Sequence, residues 1–175
     1  IPKRDWSSDV CSSDLRLPAD LKSRVHVLIA GDGPLRGECE RRAQAENLPA
    51  TFAGFLNQSR LPDAYAVADV LVLPSDAGET WGLVVNEAMA SGRPAVVSRA
   101  AGCCADLIAE NATGRSFECG DVAALADVLA GYAREPAAAA RHGAAAAERV
   151  RAFGLDAAAA GIAAAAQACA GGPPC

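Results

Sequence analysis

The chain lacks the features that mark several function classes. With 16 basic against 21 acidic residues it carries a net charge of −5 and a pI near 5.0. It therefore offers no basic face for a nucleic-acid backbone. No apolar run reads as long enough to span a bilayer, and no N-terminal stretch has the layout of a signal peptide. Histidine is nearly absent: His26 falls within a strand signal and His142 in the tail, and both are read as structural. Seven cysteines are present, yet Cys39, Cys103, Cys104, Cys119, Cys169 and Cys175 follow no disulfide-framework spacing. That pattern favours a reduced, cytoplasmic setting. Cys103 and Cys104 are adjacent, but no further Cys or His stands at ligand spacing. They are read as small loop residues, and no metal site is expected.

Residues 5–15 (DWSSDVCSSDL) differ from everything that follows, with no apolar period and little to bury. They match the conceptual translation of a sequencing-adapter oligonucleotide. The expectation is a library artefact over residues 1–15, the alternative being a genuine disordered tail. Trp6 and Cys11 accordingly carry no functional weight. Setting fifteen residues aside leaves 160 of 175. That is enough for one domain burying roughly two thirds of its unfolded surface.

Short apolar runs at residues 25–30, 50–53, 70–73 and 95–98 read as strands, and their unbroken hydrophobicity suits strands covered on both faces. Helical stripes lie between them: Leu35, Cys39 and Ala43, then Leu61, Tyr65 and Ala68. Asp121 is a suitable N-cap for a helix turning Val122, Leu125, Leu129 and Tyr132 inward. Pro136 suits the first turn of the next helix, and Gly154 separates that helix from the last. Strands alternating with helices predict an α/β fold, a doubly wound parallel sheet of Rossmann type. From residue 137 to 170 alanine dominates, so two helices are expected, each burying little.

In such sheets ligands bind where strands end. Gly31, Asp32, Gly33 and Pro34 follow the first strand; Gly54 and Phe55 the second; residues 75–79 the third; Ala100 to Gly102 the fourth. The richest stretch is residues 78–96 (GETWGLVVNEAMASGRPAV), where Glu79 and Glu87 stand eight positions apart across a loop-to-helix junction. A helix opening at Gly82 presents unpaired amides and a positive dipole end, an anion site. Glu87 would lie roughly 7–8 Å along that helix at 1.5 Å per residue and lean back toward its start. Its neighbours Val84, Val85, Ala88 and Met89 suggest burial. Two carboxylates flanking an anion site suit neutral hydroxyls on either side of it, the layout of a sugar nucleotide.

That string resembles glycosyltransferase family 4, whose E-x-F/W-G-L-x-x-x-E-A-M-A-x-G-x-P-V-V pattern carries the E-x7-E pair of retaining GT-B enzymes. The resemblance runs from about Leu17 to Tyr132 and fades in the tail. It implies the C-terminal, donor-binding half of a GT-B fold, with residues 16–135 holding the donor and 136–175 forming C-terminal helices and tail. The implied reaction moves a hexosyl group from a nucleoside diphosphate sugar to an unspecified acceptor with retention, without a metal or other cofactor. By the resemblance Glu79 meets the donor sugar and is the catalytic candidate, and Glu87 accepts the ribose hydroxyls. Gly82, Leu83 and Val84 cradle the diphosphate through their amides. Gly31, Asp32 and Gly33 form the family's G-D/E-G-P turn, and Gly54 with Phe55 meets the base. Trp81 is expected to pack, as is Phe52. Asp106 departs from the family's usual Glu. The family's Lys/Arg pair has no match, because Arg16, Lys22, Arg24 and Arg36 stand at other distances from the first glycine turn. An acceptor-binding N-terminal half is expected to be missing, and with it any peripheral contact with a membrane that it would make.

Three other classes compete. A glycoside hydrolase also uses two carboxylates but needs no helix N-terminus between them. A nucleotide-sugar epimerase shares the scaffold, and a non-catalytic nucleotide-sugar binding module would share the site. A nicotinamide enzyme fits poorly, since Gly31 and Gly33 lack the third glycine and the acid after the second strand.

Overall fold

The computed structural model describes residues 16–170; the adapter-like residues 5–15 and Cys175 lie outside the described residues. A short helix α1 (Ala19–Lys22) precedes β1 (Val27–Ala30), which pairs in parallel with β2 (Ala50–Gly54) across α2 (Arg36–Ala45). Helix α3 (Leu61–Val67) leads to β3 (Leu71–Leu73), and α4 (Leu83–Ala90) leads on to β4 (Ala95–Ser98). Helix α5 (Cys104–Leu107) connects to β5 (Gly114–Phe117). Strands β3, β4 and β5 form a parallel ladder in that order, with Leu71 beside Ala95 and Ala95 beside Gly114.

Strand β4 explains why continuous hydrophobicity was the right signal. All four of its residues are buried, and their side chains alternate between the two faces. Ala95 and Val97 join Val85 and Met89 of α4 in one cluster, while Val96 joins Phe117, Leu125, Val128 and Tyr132 in another. Helices therefore cover both faces of the sheet, the doubly wound arrangement expected.

The sequence reading needs four corrections. The predicted strand set lacked β5, because Gly114, Arg115 and Ser116 give an edge strand no apolar run. The strands also form two ladders: among the described residues none joins β1 to β3. The tail behaves as two different helices. In α7 (Pro136–Val150) the residues Ala139, Ala146 and Val150 enter the clusters, and a β-carbon on Gly143 would lie 2.1 Å from the Gly92 carbonyl oxygen. Small residues let this helix approach closely despite its lack of bulk. After a 3-10 turn (Arg151–Phe153), α8 (Leu155–Ala170) buries nothing, as expected of an alanine helix. Finally, the stretch Pro136–Ala170 is long and apolar enough by composition to cross a membrane, with a mean hydropathy of 1.3 over a window that is 0% buried. Alanine supplies that hydropathy without the large side chains whose scarcity governed the sequence reading.

Pro136 occupies the first turn of α7, and Asp121 caps α6 (Val122–Arg134) by accepting the Ala124 amide at 2.9 Å. Both follow the local rules that predicted them.

Candidate functional site

At the carboxyl ends of β1 and β2 the two glycine turns meet. Gly31, at φ +131°, donates its amide to the Gly54 carbonyl at 2.8 Å. Gly54 is itself at φ +67°, so both turns use backbone that only glycine enters without strain. The Asp32 carboxylate accepts the Gly33 amide at 2.9 Å, which closes the Gly31-Asp32-Gly33 turn on itself. Phe55 is 80% exposed just beyond, while Phe52 is half-buried within β2. A large apolar ring left this open is suited to cover a flat ligand.

Arg36 is the residue that sequence spacing set aside. Its guanidinium lies 3.6 Å from Asp32 and 2.8 Å from Glu40, and donates to the Phe52 carbonyl at 3.4 Å. A β-carbon on Gly54 would come within 2.9 Å of it. Glu40 first, and Asp32 after it, raise the arginine pKa further. One helical turn past the glycine motif, α2 swings this side chain back across both turns, a placement that counting residues along the chain does not reveal.

The second group stands at the ends of β3 and β4. Asp76 organises the loop carrying Glu79: its carboxylate accepts the Gly78 amide at 2.7 Å and its carbonyl accepts the Glu79 amide at 3.1 Å. From the far side, Gly102 donates to the Glu79 carbonyl at 3.1 Å and Cys103 to the Trp81 carbonyl at 2.9 Å. Glu79 is half-buried and held from both directions. Asp76 was legible in principle, since Asp two residues before Gly is a turn signal.

Gly82 opens α4 in the left-handed region at φ +100°. It is buried, and a β-carbon there would strike Leu73 at 2.7 Å, crowd Cys103 at 3.3 Å and lie in ordinary contact with the Glu79 side chain at 3.7 Å. Among the described residues no side chain caps this helix end, which leaves its positive pole at Leu83 and Val84 without a side-chain partner. Leu83 is 68% exposed and Val84 39%. Trp81 packs as expected, its ring centroid 6.0 Å from that of Phe153 and its indole N–H bonded to Asn86 at 2.8 Å.

Glu87 departs from expectation. It is exposed, while Val85, Ala88 and Met89 take the buried face. The helix turns Glu87 to the rim of its apolar stripe. One carboxylate oxygen, Oε2, accepts the Tyr65 hydroxyl at 2.7 Å, and the rest of the group faces outward. Among the described residues no hydrogen bond joins the Gly31–Gly54 group to the Glu79–Glu87 group. No group of three metal-ligating side chains occurs among the described residues either.

A cavity of about 310 Å³ lies at the opposite, amino ends of the strands, lined among others by Asn111, Arg115, Tyr132, Glu135, Arg141 and His142. Both of its arginines are ion-paired, Arg115 with Glu110 at 3.4 Å and Arg141 with Glu135 at 2.7 Å. His142 lies 2.9 Å from the Tyr132 hydroxyl. The histidines are thus both engaged, His26 with Thr51 at 2.8 Å, in keeping with structural roles. Cys103, Cys104, Cys119 and Cys169 are free thiols, and burial pushes the Cys103 thiol up to about 11, out of the reactive range at neutral pH.

Comparison with known proteins bears on this arrangement. The family described as "Glycosyl transferases group 1" matches residues 15–149. A sulfoquinovosyl transferase of Arabidopsis thaliana is 40% identical over 111 residues, which is 62% of this chain and 21% of that protein. Sucrose-phosphate synthase from Thermosynechococcus elongatus superposes with a TM-score of 0.78 at 30% identity, covering 94% of this chain and 42% of the synthase. Anabaena HepE, crystallised with UDP and glucose, gives a TM-score of 0.77 at 20% identity over 93% of this chain and 45% of its own. The chain thus spans less than half the length of these relatives. The likenesses bear out the GT-B glycosyltransferase architecture, and the part matched is its C-terminal domain.

Proposed function

The chain belongs to the glycosyl transferases group 1 family, and on that premise we propose that it is the donor-binding part of a retaining glycosyltransferase using a nucleoside diphosphate sugar. The observation that carries the reading is the opening of α4. A buried, left-handed Gly82 opens an uncapped helix, with Glu79 three residues before it and Glu87 five residues after it in the chain. The pole suits a diphosphate, held by the amides of Gly82, Leu83 and Val84. The carboxylates suit the hydroxyls at its two ends, the hexose at Glu79 and the ribose at Glu87. Gly54 and exposed Phe55 are available to the base, and the Gly31-Asp32-Gly33 turn borders the diphosphate.

In this reading the chain contributes positioning and charge stabilisation. As the bond from the sugar to the diphosphate breaks, negative charge grows on the leaving phosphate. The fixed dipole at Gly82 meets that charge without reorganising, which is where preorganised amides act most strongly. With retention, the departing phosphate oxygen takes the proton of the attacking acceptor hydroxyl on the same face. Glu79, held through Asp76 and Gly102, fixes the sugar for that attack. The acceptor would be brought by the part of the relatives that this chain does not span.

Calorimetry with UDP, GDP and ADP tests the reading. Glu87→Gln removes a charged acceptor worth about 1.5–3 kcal/mol. Affinity for the preferred nucleotide should fall roughly 10–100-fold. Equal affinities of parent and variant would remove the ribose assignment.

A further inference from the structure

Tyr65 and Glu87 are 22 positions apart in sequence, on different helices, and meet in one hydrogen bond. The tyrosine is 8% exposed on α3, whereas Glu87 stands at the exposed rim of α4. The donor is therefore fixed by packing, and the acceptor is the side chain that would otherwise roam. At 2.7 Å the contact is a well-formed hydroxyl–carboxylate hydrogen bond. Burial, reinforced by Glu87, raises the Tyr65 pKa, so the phenol keeps its proton and can only donate to the carboxylate.

A second tie holds the same two elements in register. Arg93, in the turn after α4, donates to the Ala66 carbonyl of α3 at 2.9 Å. Tyr65 is thus held by its own packing and by Arg93, independently of Glu87. A carboxylate offers about four lone-pair positions. Tyr65 takes one on Oε2, which leaves Oε1 and the other side of Oε2 for two neighbouring hydroxyls.

We propose that Tyr65 is a positioning residue, which locks the Glu87 carboxylate so that it reads both hydroxyls of a cis-diol and thereby selects ribose over deoxyribose. This rests on the assignment of Glu87 to the ribose and adds to it the group that sets its orientation. Tyr65 itself touches no substrate; it acts by removing the rotamer freedom that Glu87 would lose on binding.

The test is calorimetry on the full chain with UDP and 2′,3′-dideoxyuridine diphosphate, or the GDP or ADP pair if that nucleotide binds more tightly. Four proteins are compared: parent, Tyr65→Phe, Glu87→Gln and the double variant. Tyr65→Phe deletes one oxygen and keeps the packed ring. It should weaken the ribonucleotide about five- to tenfold, the order of the rotamer freedom of one side chain, and leave the dideoxy analogue unchanged. The double variant should bind no more weakly than Glu87→Gln alone, because the tyrosine acts through that carboxylate. If Glu87→Gln abolishes the preference for the ribonucleotide but Tyr65→Phe leaves it intact, or weakens both ligands equally, Tyr65 is a packing residue and the proposal is wrong. If the parent does not distinguish the two ligands at all, the ribose assignment of Glu87 fails first and takes the proposal with it.

Discussion

Gly102 and Thr80 approach so closely that a β-carbon on Gly102 would lie 1.9 Å from the Thr80 carbonyl oxygen. The approach lets the Gly102 amide reach the Glu79 carbonyl, which ties the loop after β3 to the loop after β4. The side chain with the strongest claim to the donor sugar is therefore positioned by a glycine more than twenty residues further along the chain.

Substituting that glycine should be felt in both stability and binding. In Gly102→Ala the new methyl meets backbone, which cannot rotate away, so the loops must separate. Overpacking of this kind costs about 1–3 kcal/mol. Thermal denaturation should show a drop of several degrees for a chain of this size. Affinity for UDP-glucose or GDP-mannose should fall with it as Glu79 shifts. An unchanged melting temperature would mean that the two loops can part freely.

A second prediction sets Glu79 apart from Glu87 by the ligand each variant weakens. Glu79→Ala should leave UDP and GDP binding nearly intact and weaken only the corresponding sugar nucleotides, whose hydroxyls lose an acceptor. The comparison requires titrating each nucleotide with and without its sugar. A variant that loses both ligands equally would assign Glu79 to the shape of the loop.

The cavity at the other end of the strands makes a prediction about pH. Burial lowers the His142 pKa from its ordinary 6.5, helped by Arg141 and Arg115 and opposed by Glu135. The folded chain therefore holds this ring neutral at pH values where the unfolded chain would protonate it. By linkage, that contribution to stability is complete above pH 6.5 and is lost as pH falls through 6.5 toward the lower folded value. Glutamine in place of His142 keeps a hydrogen-bonding group for Tyr132 and removes the titration. Urea denaturation between neutral and mildly acidic pH should then show the parent losing stability relative to His142→Gln as the pH drops. Parallel curves would place the acid sensitivity elsewhere.

Some features are visible in the chain because they are local. A strand covered on both faces is apolar along most of its length, so β4 is legible from Ala95, Val96 and Val97, all buried. An N-cap needs one side-chain oxygen within reach of an amide two or three residues on, so Asp121 is legible too. Strand β5 is not, because its order comes from pairing with β4 and from burial of Phe117 at its end, and Gly114, Arg115 and Ser116 carry no period of their own. Helix α7 misled for a related reason: its packing rests on close approach at Gly143, and a residue with no side chain gives no hydrophobic signal.

The same division runs through the candidate site. By itself the sequence determined the alternation of strands and helices, the glycines at the strand ends, and the pair Glu79 and Glu87 across a helix start, since each depends on neighbours a few residues away. Only the tertiary structure decided what holds those groups. It set Asp76 and Gly102 on either side of the Glu79 loop, swung Arg36 across the Gly31 and Gly54 turns, and left Glu87 exposed but tied to Tyr65. These are contacts between segments far apart in the chain. Each is fixed by how closely two elements pack, and the energy that selects it belongs to the assembled core, not to any stretch of sequence read alone.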